Sequence, residues 1–536
     1  MSGPSDPSKG PYLPDDIWLE IAAEAEPLDL LFLSQCCRSL YLLFSDKETW
    51  TKILRSVMHD CGPFIVEYSI DEMTLSILQR AATGQGRWRR LLQAKAAASK
   101  GLAESRELSP STLRVWTSLP TLRPIYHLVP GGRFLVTGEV WLTPDMPPGQ
   151  RRPIVSLDLW DLGCPFVRTN APPLPLNSWT FGCGIGSEGV CCNGSDLFIT
   201  GDTSFRLVVS FSSVPVQESR AVVASVSLGH EGATLTRYAF LDCPAPITKT
   251  SIRGDLVLLQ LNRTDVVLWD FMQSRGLRYC PMPEMSASDK HLMLTDGYVV
   301  LLISGGGEYE GIYVWDISRL DLDKVDADHP LMIAPCPPHS LLFSRWTPVP
   351  RAEAGGVVGS RALSCRPPNS LLFDLIQGRD ETSLTRFRVD IAKGSAPGSI
   401  ETRLSALGTC SLPSIRRSSV PEQATGLCVV MPSSTKGRGR HCQLFAYEPA
   451  MTAEPALEAV RPLTPVPMGL GYPSASCSYS GRVLCTRPLY DKGDGGKTYC
   501  TDYLSDRHPR TPDSERRWSK PAKALATSFT KLLRLT

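Results

Sequence analysis

The side chains that could do chemistry in this 536-residue chain fail, group by group, to assemble a site. Gly495-Gly496-Lys497-Thr498 has the ending of a phosphate-binding loop, where glycine amides cradle phosphate and a lysine neutralises it. That pattern needs glycine at 491, where Asp491 stands, and it lies between two strand-like runs instead of opening a helix. Asp321, Asp323, Asp326 and Asp328 gather carboxylates but lack the mid-loop glycine and closing glutamate of a calcium loop. Ser187 has Gly189 after it, yet Ile185 occupies the position where a nucleophile elbow needs its first glycine. Gly305-Gly306-Gly307 sits in an expected hairpin loop, where positive φ explains glycine. The eight histidines are scattered, and the 17 cysteines include adjacent pairs, Cys36-Cys37 and Cys191-Cys192, but no C-x-x-C. A zinc site would want two close pairs. We therefore expect no metal, no cofactor and no catalytic constellation, which points away from an enzyme and towards binding.

Composition narrows the partners. A formal charge of +2 implies no global attraction to nucleic acid or to a membrane. The local basic group Arg87, Arg89, Arg90, Lys95 and Lys100 includes Trp88 but no series of stacking aromatics, so a solvated helix face is the expectation. Leu28 to Phe44 is apolar enough to suggest a membrane span, but it carries Asp29, Gln35 and Arg38 and is barely long enough to cross. Two amphipathic helices account for it better. Met1 to Tyr12 shows no charged-then-apolar leader, and unpatterned cysteines suit reduced thiols, so cytoplasm or nucleus is the expected location.

The elements themselves divide the chain. Leu13 to Leu54 reads as a cluster of three short helices. Pro14 opens the first, with Asp15 and Asp16 where the helix dipole favours negative charge. Ile17, Ile21 and Ala25 form a narrow stripe, Pro27 opens the second helix, and Cys37, Leu40, Tyr41, Leu43 and Phe44 mark the third. Asp46 punctuates before Trp50, Ile53 and Leu54. Some forty residues cannot bury this much apolar surface by themselves, so either a partner protein or the rest of the chain must cover it.

This segment resembles an F-box. The residues that carry the resemblance are Leu13-Pro14, Ile17, Ile21, Asp29-Leu30-Leu31, Leu33-Ser34, Cys36-Cys37-Arg38, Asp46 and Trp50; Lys47 and Thr49 depart from it, standing where the family often has Pro and Leu, as do Glu24 and Ala25. The resemblance implies docking onto a Skp-family adaptor and, through it, a cullin-based ubiquitin ligase. Leu13, Pro14, Ile17, Ile21, Leu30, Leu33, Cys37, Leu40 and Trp50 would be the apolar anchors of that contact.

Beyond Ser111 the texture becomes short β-branched and aromatic runs separated by Gly, Pro, Asp and Asn. Seven hairpins are expected, with first strands starting at 133, 196, 255, 297, 370, 426 and 481. Three second strands end in Trp-Asp, at Trp160-Asp161, Trp269-Asp270 and Trp315-Asp316. Isolated hairpins are marginal, so repeated ones must stack, and radial stacking protects their edges. Additional strands would come from runs such as 220–228 and 234–241. The Trp-Asp endings, with Gly229-His230 preceding one of them, resemble WD-repeat blades, although only the step from 255 to 297 fits that family's period.

The expected architecture is a small all-α cluster followed by a large all-β domain, a degenerate seven-bladed, alternatively eight-bladed, β-propeller; a stacked pair of β-sandwiches is the competing arrangement. We divide the chain into a disordered start (1–11), an F-box (12–56), a helical linker (57–110), the propeller (111–505) and a basic tail with a helix (506–536). The combination resembles fungal-type F-box proteins and implies a ligase substrate receptor for an unknown protein. A scaffold without ubiquitin transfer is the alternative, and a propeller hydrolase would need a convergent polar set in its channel, for which the sequence offers no candidate.

Overall fold

The computed structural model describes residues 13–61, 64–93 and, between 104 and 502, the strands with many of their turns. Five helices come first: α1 (Asp15–Glu24), α2 (Pro27–Leu33), α3 (Arg38–Leu43), α4 (Lys47–Cys61) and α5 (Leu75–Gln93). Proline starts α2, and Asp46 caps α4 by accepting from the Thr49 amide at 2.7 Å. That amide bond, reinforced by the Thr49 hydroxyl, holds the Asp46 carboxyl below its ordinary range. Within the expected helical linker, α5 runs straight through Gly84 and Gly86. Gly86 instead gives α2 room to approach, since a Cβ there would lie 3.3 Å from the Leu28 side chain. Arg90 completes that contact with a 3.2 Å bond to Asp29 and a guanidinium 4.4 Å above the Phe32 ring.

The rest of the described chain is β-structure in seven antiparallel sheets. All seven expected hairpins are present. Phe134–Leu142 pairs with Pro153–Asp161, Val190–Gly201 with Ser204–Ser213, and Leu256–Leu261 with Asp265–Asp270. Tyr298–Ile303 pairs with Gly311–Asp316, Ser370–Gln377 with Thr382–Lys393, Cys428–Val430 with Phe445–Tyr447, and Arg482–Thr486 with Thr498–Asp502. The supplementary strands are Ser219–Gly229 and Gly232–Cys243, which finish the second sheet in sequence order. The third sheet takes on a fifth strand, Asp323–Lys324, from the acidic stretch that had suggested a loop.

One strand corrects the domain division. Glu104–Leu108 falls inside the expected linker, yet it pairs antiparallel with Thr498–Asp502 as the outermost strand of the last sheet. Its sequence, Glu-Ser-Arg-Glu-Leu, has no apolar alternation. Backbone pairing with its neighbour, not its own hydrophobicity, makes it a strand.

Among the described residues, the first five sheets share cores with their sequence neighbours, and the last shares one with the first. Phe134 and Val136 of the first pack with Phe205 and Val209 of the second. Val208 of the second joins Val257 and Val267 of the third, and Leu258 and Leu268 of the third join Val299 and Trp315 of the fourth. Val300 and Val314 of the fourth pack with Leu371 and Val389 of the fifth. Cys477, Leu484 and Cys500 of the last sheet lie with Leu128 and Leu135 of the first. Arginines clasp the same seams: Arg253 of the third reaches Asp296 at the fourth (2.7 Å), and Arg206 of the second reaches Asp255 and the Gly254 carbonyl. Arg482 of the last sheet donates to the carbonyls of Gly132 (2.6 Å) and Gly163 (2.8 Å) by the first. Arg482 is buried, which opposes its charge, but Asp502 at 2.5 Å more than offsets this and raises its pKa.

The three Trp-Asp pairs behave alike. Each closes its strand, and each aspartate is buried and turns back to cap the following turn: Asp161 accepts from the Gly163 amide, Asp270 from those of Met272 and Gln273, and Asp316 from that of Ser318, all within 3.0 Å. The expected terminal segments 1–11 and 506–536, residues 305–307, Ser187 and the loop through Gly496 lie outside the described residues. Among the described helices none is long and apolar enough to cross a membrane, and Leu28 to Phe44 is split between α2 and α3.

Candidate protein-interaction site

The helices have a covered side and an open side. On the covered side Leu30, Leu40, Phe44, Trp50 and Leu54 share one core with Phe64, Val66 and Leu78 and with first- and last-sheet residues Leu135, Leu162, Cys477 and Leu484. Trp50 is fully enclosed, and its indole N–H donates to the Phe44 carbonyl at 2.7 Å. Away from that core, Ile17 and Leu19, on the two flanks of α1, and Tyr41 and Leu42 of α3 are exposed by 36%, 42%, 58% and 61%. The large apolar side chains exposed among the described residues number seven, and these four fall within one stretch of 26 residues. Large apolar groups left in water together mark a surface awaiting another molecule.

The nine expected anchors divide between the two sides. Pro14, Ile17 and Cys37 are exposed, and Leu13, Ile21 and Leu33 are half-buried. Leu30, Leu40 and Trp50 are buried, so the expected contact role for them is corrected: they hold the helices together and have no surface to offer. Of the expected α1 stripe only Ala25 meets this core; Trp18 and Ala22 take the places of Ile17 and Ile21. Leu19 and Leu42, two of the most exposed members, went unrecognised because periodicity marks a residue as apolar without saying which side receives a neighbour.

The exposed charge is acidic on and beside α1 and α2, while α3 begins with the exposed cation Arg38. Asp15, Asp16, Glu20, Glu24 and Glu26 are all exposed on or beside α1 and α2. The helices thus expose apolar side chains on α1 and α3, with acids exposed on and beside α1 and α2. Cys36 and Cys37 are free thiols there; partial burial, and then the neighbouring Cys37, push the Cys36 thiol up. That keeps it in the protonated form, which is the poor nucleophile.

The β-domain supplies no comparable chemistry among the described residues, where no group of three potential metal ligands converges. A cavity of about 210 Å³ lies beside the second sheet, lined by Thr200, Ser204, Ser225, Ser227, Thr236, Arg206 and Met272. Its one cation, Arg206, is already spent on Asp255 and Gly254. His127 and Ser195 lie 2.6 Å apart across the first two sheets, but the histidine is 3% exposed. Burial on that scale suits a joint between sheets better than a nucleophile that must meet substrate.

Residues 11–52 match the family model of the F-box domain. No curated protein matches the chain. Among solved structures it resembles the N-terminal domain of Nup159, at 8% identity and a TM-score of 0.30, covering 76% of this chain and 97% of that one. It also resembles the computationally designed Ika8 protein, at 10% identity and a TM-score of 0.31, covering 68% and 92%.

Proposed function

We propose that this chain is the substrate-recognition subunit of a Skp–cullin–F-box type ubiquitin ligase, with its F-box docking a Skp-family adaptor and its β-domain holding the target protein. The observation that carries this is the open side of the F-box helices, where Ile17, Leu19, Tyr41 and Leu42 stay in water although the chain's own sheets cover the opposite side. Seating an adaptor there needs no rearrangement of the fold. The chain then performs no bond chemistry; it raises the effective concentration of target lysines near a ubiquitin-charged partner. Its site of action is the cytoplasm or nucleus.

The β-domain is read as a seven-bladed propeller of degenerate WD type. Seven sheets, cores shared in sequence order from the first to the fifth, and the packing of the last sheet on the first support a ring. The strand Glu104–Leu108, donated to the last sheet from the start of the domain, supports its closure. Such a ring presents many loops on two faces, a surface suited to gripping a protein.

Affinity purification of the full chain under proteasome inhibition tests the assignment. The wild type recovers a Skp-family adaptor, a cullin and a target, and an Ile17→Asp, Leu19→Asp double variant loses adaptor and cullin while keeping the target. Recovery of adaptor without cullin leaves a scaffold that transfers no ubiquitin. Failure to recover an adaptor at all removes the docking role.

A further inference from the structure

The segment 64–68, between α4 and α5, is pinned to the first sheet by an unusual concentration of contacts. The Ile65 amide donates to the Pro130 carbonyl at 2.8 Å, as a strand would. The turn it meets has no spare room: Gly131 and Gly132 have φ of +103° and +79°, and a Cβ on Gly131 would lie 2.0 Å from the Ile65 carbonyl oxygen. Next in the chain stands Arg133, whose guanidinium binds both oxygens of Asp161, at 3.0 Å from Nε and 2.9 Å from Nη2, and also pairs with Glu67. Its plane lies 4.4 Å from the centre of the Tyr68 ring, while the Tyr68 hydroxyl donates to Asp161 at 2.9 Å. One arginine thus joins two residues of the helical unit to the first Trp-Asp pair of the β-domain, with its side chain only 12% exposed. A second brace comes from Arg80 of α5, which donates to the Phe166 carbonyl at 2.5 Å.

We propose that Arg133 is a positioning residue: it locks the helical unit onto the first sheet, so that the adaptor-docking side and the β-domain keep one fixed relative orientation. The functional consequence rests on the adaptor-docking role proposed above; the lock itself does not. Asp161 is what makes the assignment specific. Asp270 and Asp316 end their strands and cap their turns in the same way, and Asp161 in addition binds Arg133 and Tyr68, so the first pair has been recruited to a second task. Reach matters as well as charge, because only a planar fork can bind the carboxylate twice while lying over an aromatic ring.

Site-resolved hydrogen exchange on the full chain, free and bound to a Skp-family adaptor, tests this with Arg133→Met, Arg133→Lys and, as a matched control, Asp270→Asn. In Arg133→Met the Ile65 amide is expected to exchange about tenfold faster or more, as in local opening, with α4 and the Leu256–Leu261 strand unchanged. Arg133→Lys falls between the two, and Asp270→Asn leaves Ile65 protected. Adaptor affinity stays within about twofold of wild type, since the docking side itself is untouched. The lock is overturned if Ile65 is unprotected in the wild type, if Arg133→Met leaves it protected, or if protection falls evenly through the β-domain, which would make Arg133 only a general stabiliser. If no adaptor binds either wild type or variant, the docking role fails, and the exchange of Ile65 still decides the lock.

Discussion

The two sides of the F-box helices have similar residues and opposite fates. Leu30, Leu40 and Trp50 are enclosed with side chains from the first and last sheets, whereas Ile17, Leu19, Tyr41 and Leu42, equally apolar, remain in water. The difference lies in what the rest of the chain reaches. The segment 64–68 and α5 bring α2 and α4 against the sheets, while Ile17, Leu19, Tyr41 and Leu42 of α1 and α3 stay exposed. Buried and exposed apolar residues therefore make distinct contributions, the first to folding and the second to association.

Substitutions separate these contributions, the largest effect coming first. Trp50→Ala removes a fully enclosed indole and its bond to Phe44, and should cost about 3–5 kcal/mol in denaturant melts, enough to impair adaptor capture through unfolding alone. On the open side, the Ile17→Asp, Leu19→Asp double variant should weaken adaptor binding by about 2 kcal/mol, roughly thirtyfold in a titration, while the melt stays within about 0.5 kcal/mol of wild type. The comparison collapses if the melt shifts as far as the affinity does.

Smaller effects concern the joint between the two units. Asp270→Asn weakens one turn cap and should cost about 1 kcal/mol; Asp161→Asn should cost more, because it also strips Arg133 and Tyr68 of their shared acceptor. Acid should reproduce the second variant. Burial raises the pKa of the Asp161 carboxyl, but Arg133, the Gly163 amide and the Tyr68 hydroxyl more than offset this and leave it below the ordinary value. Its contribution is therefore full above the unfolded pKa of about 3.9 and is lost as pH falls through the lower, folded value. The protection factor at Ile65, the intrinsic exchange rate divided by the observed one at each pH, should fall in that acidic window and stay level above it. At the bottom of the scale, Glu48→Gln breaks a pair with Lys52 in which both side chains are 74% exposed, and should leave the melting temperature unchanged.

Much of this was legible in the sequence. Short β-branched and aromatic runs between Gly, Pro, Asp and Asn located all seven hairpins, because strand preference and turn chemistry are local properties. Trp-Asp marked three strand ends correctly, since the aspartate's work is on its own turn. What escaped depends on distant residues. Glu104–Leu108 is a strand only because Thr498–Asp502 lies beside it, and α5 crosses two glycines because α2 packs against one of them. Among the candidate anchors, the split between Ile17 outside and Leu30, Leu40 and Trp50 inside could not be seen until the sheets were in place.

The pairing of Glu104–Leu108 with Thr498–Asp502 also sets an order of events during synthesis. The earlier strand leaves the ribosome with its sheet neighbour among the described residues still some 390 residues away, a wait of about 20–80 s at 5–20 residues per second. Cys477, Leu484 and Cys500, which help to cover the helices, arrive equally late. Through that interval the nascent helices lack part of their cover, making this a polypeptide whose first-made part depends on its last, and for which chaperone custody during translation would matter most.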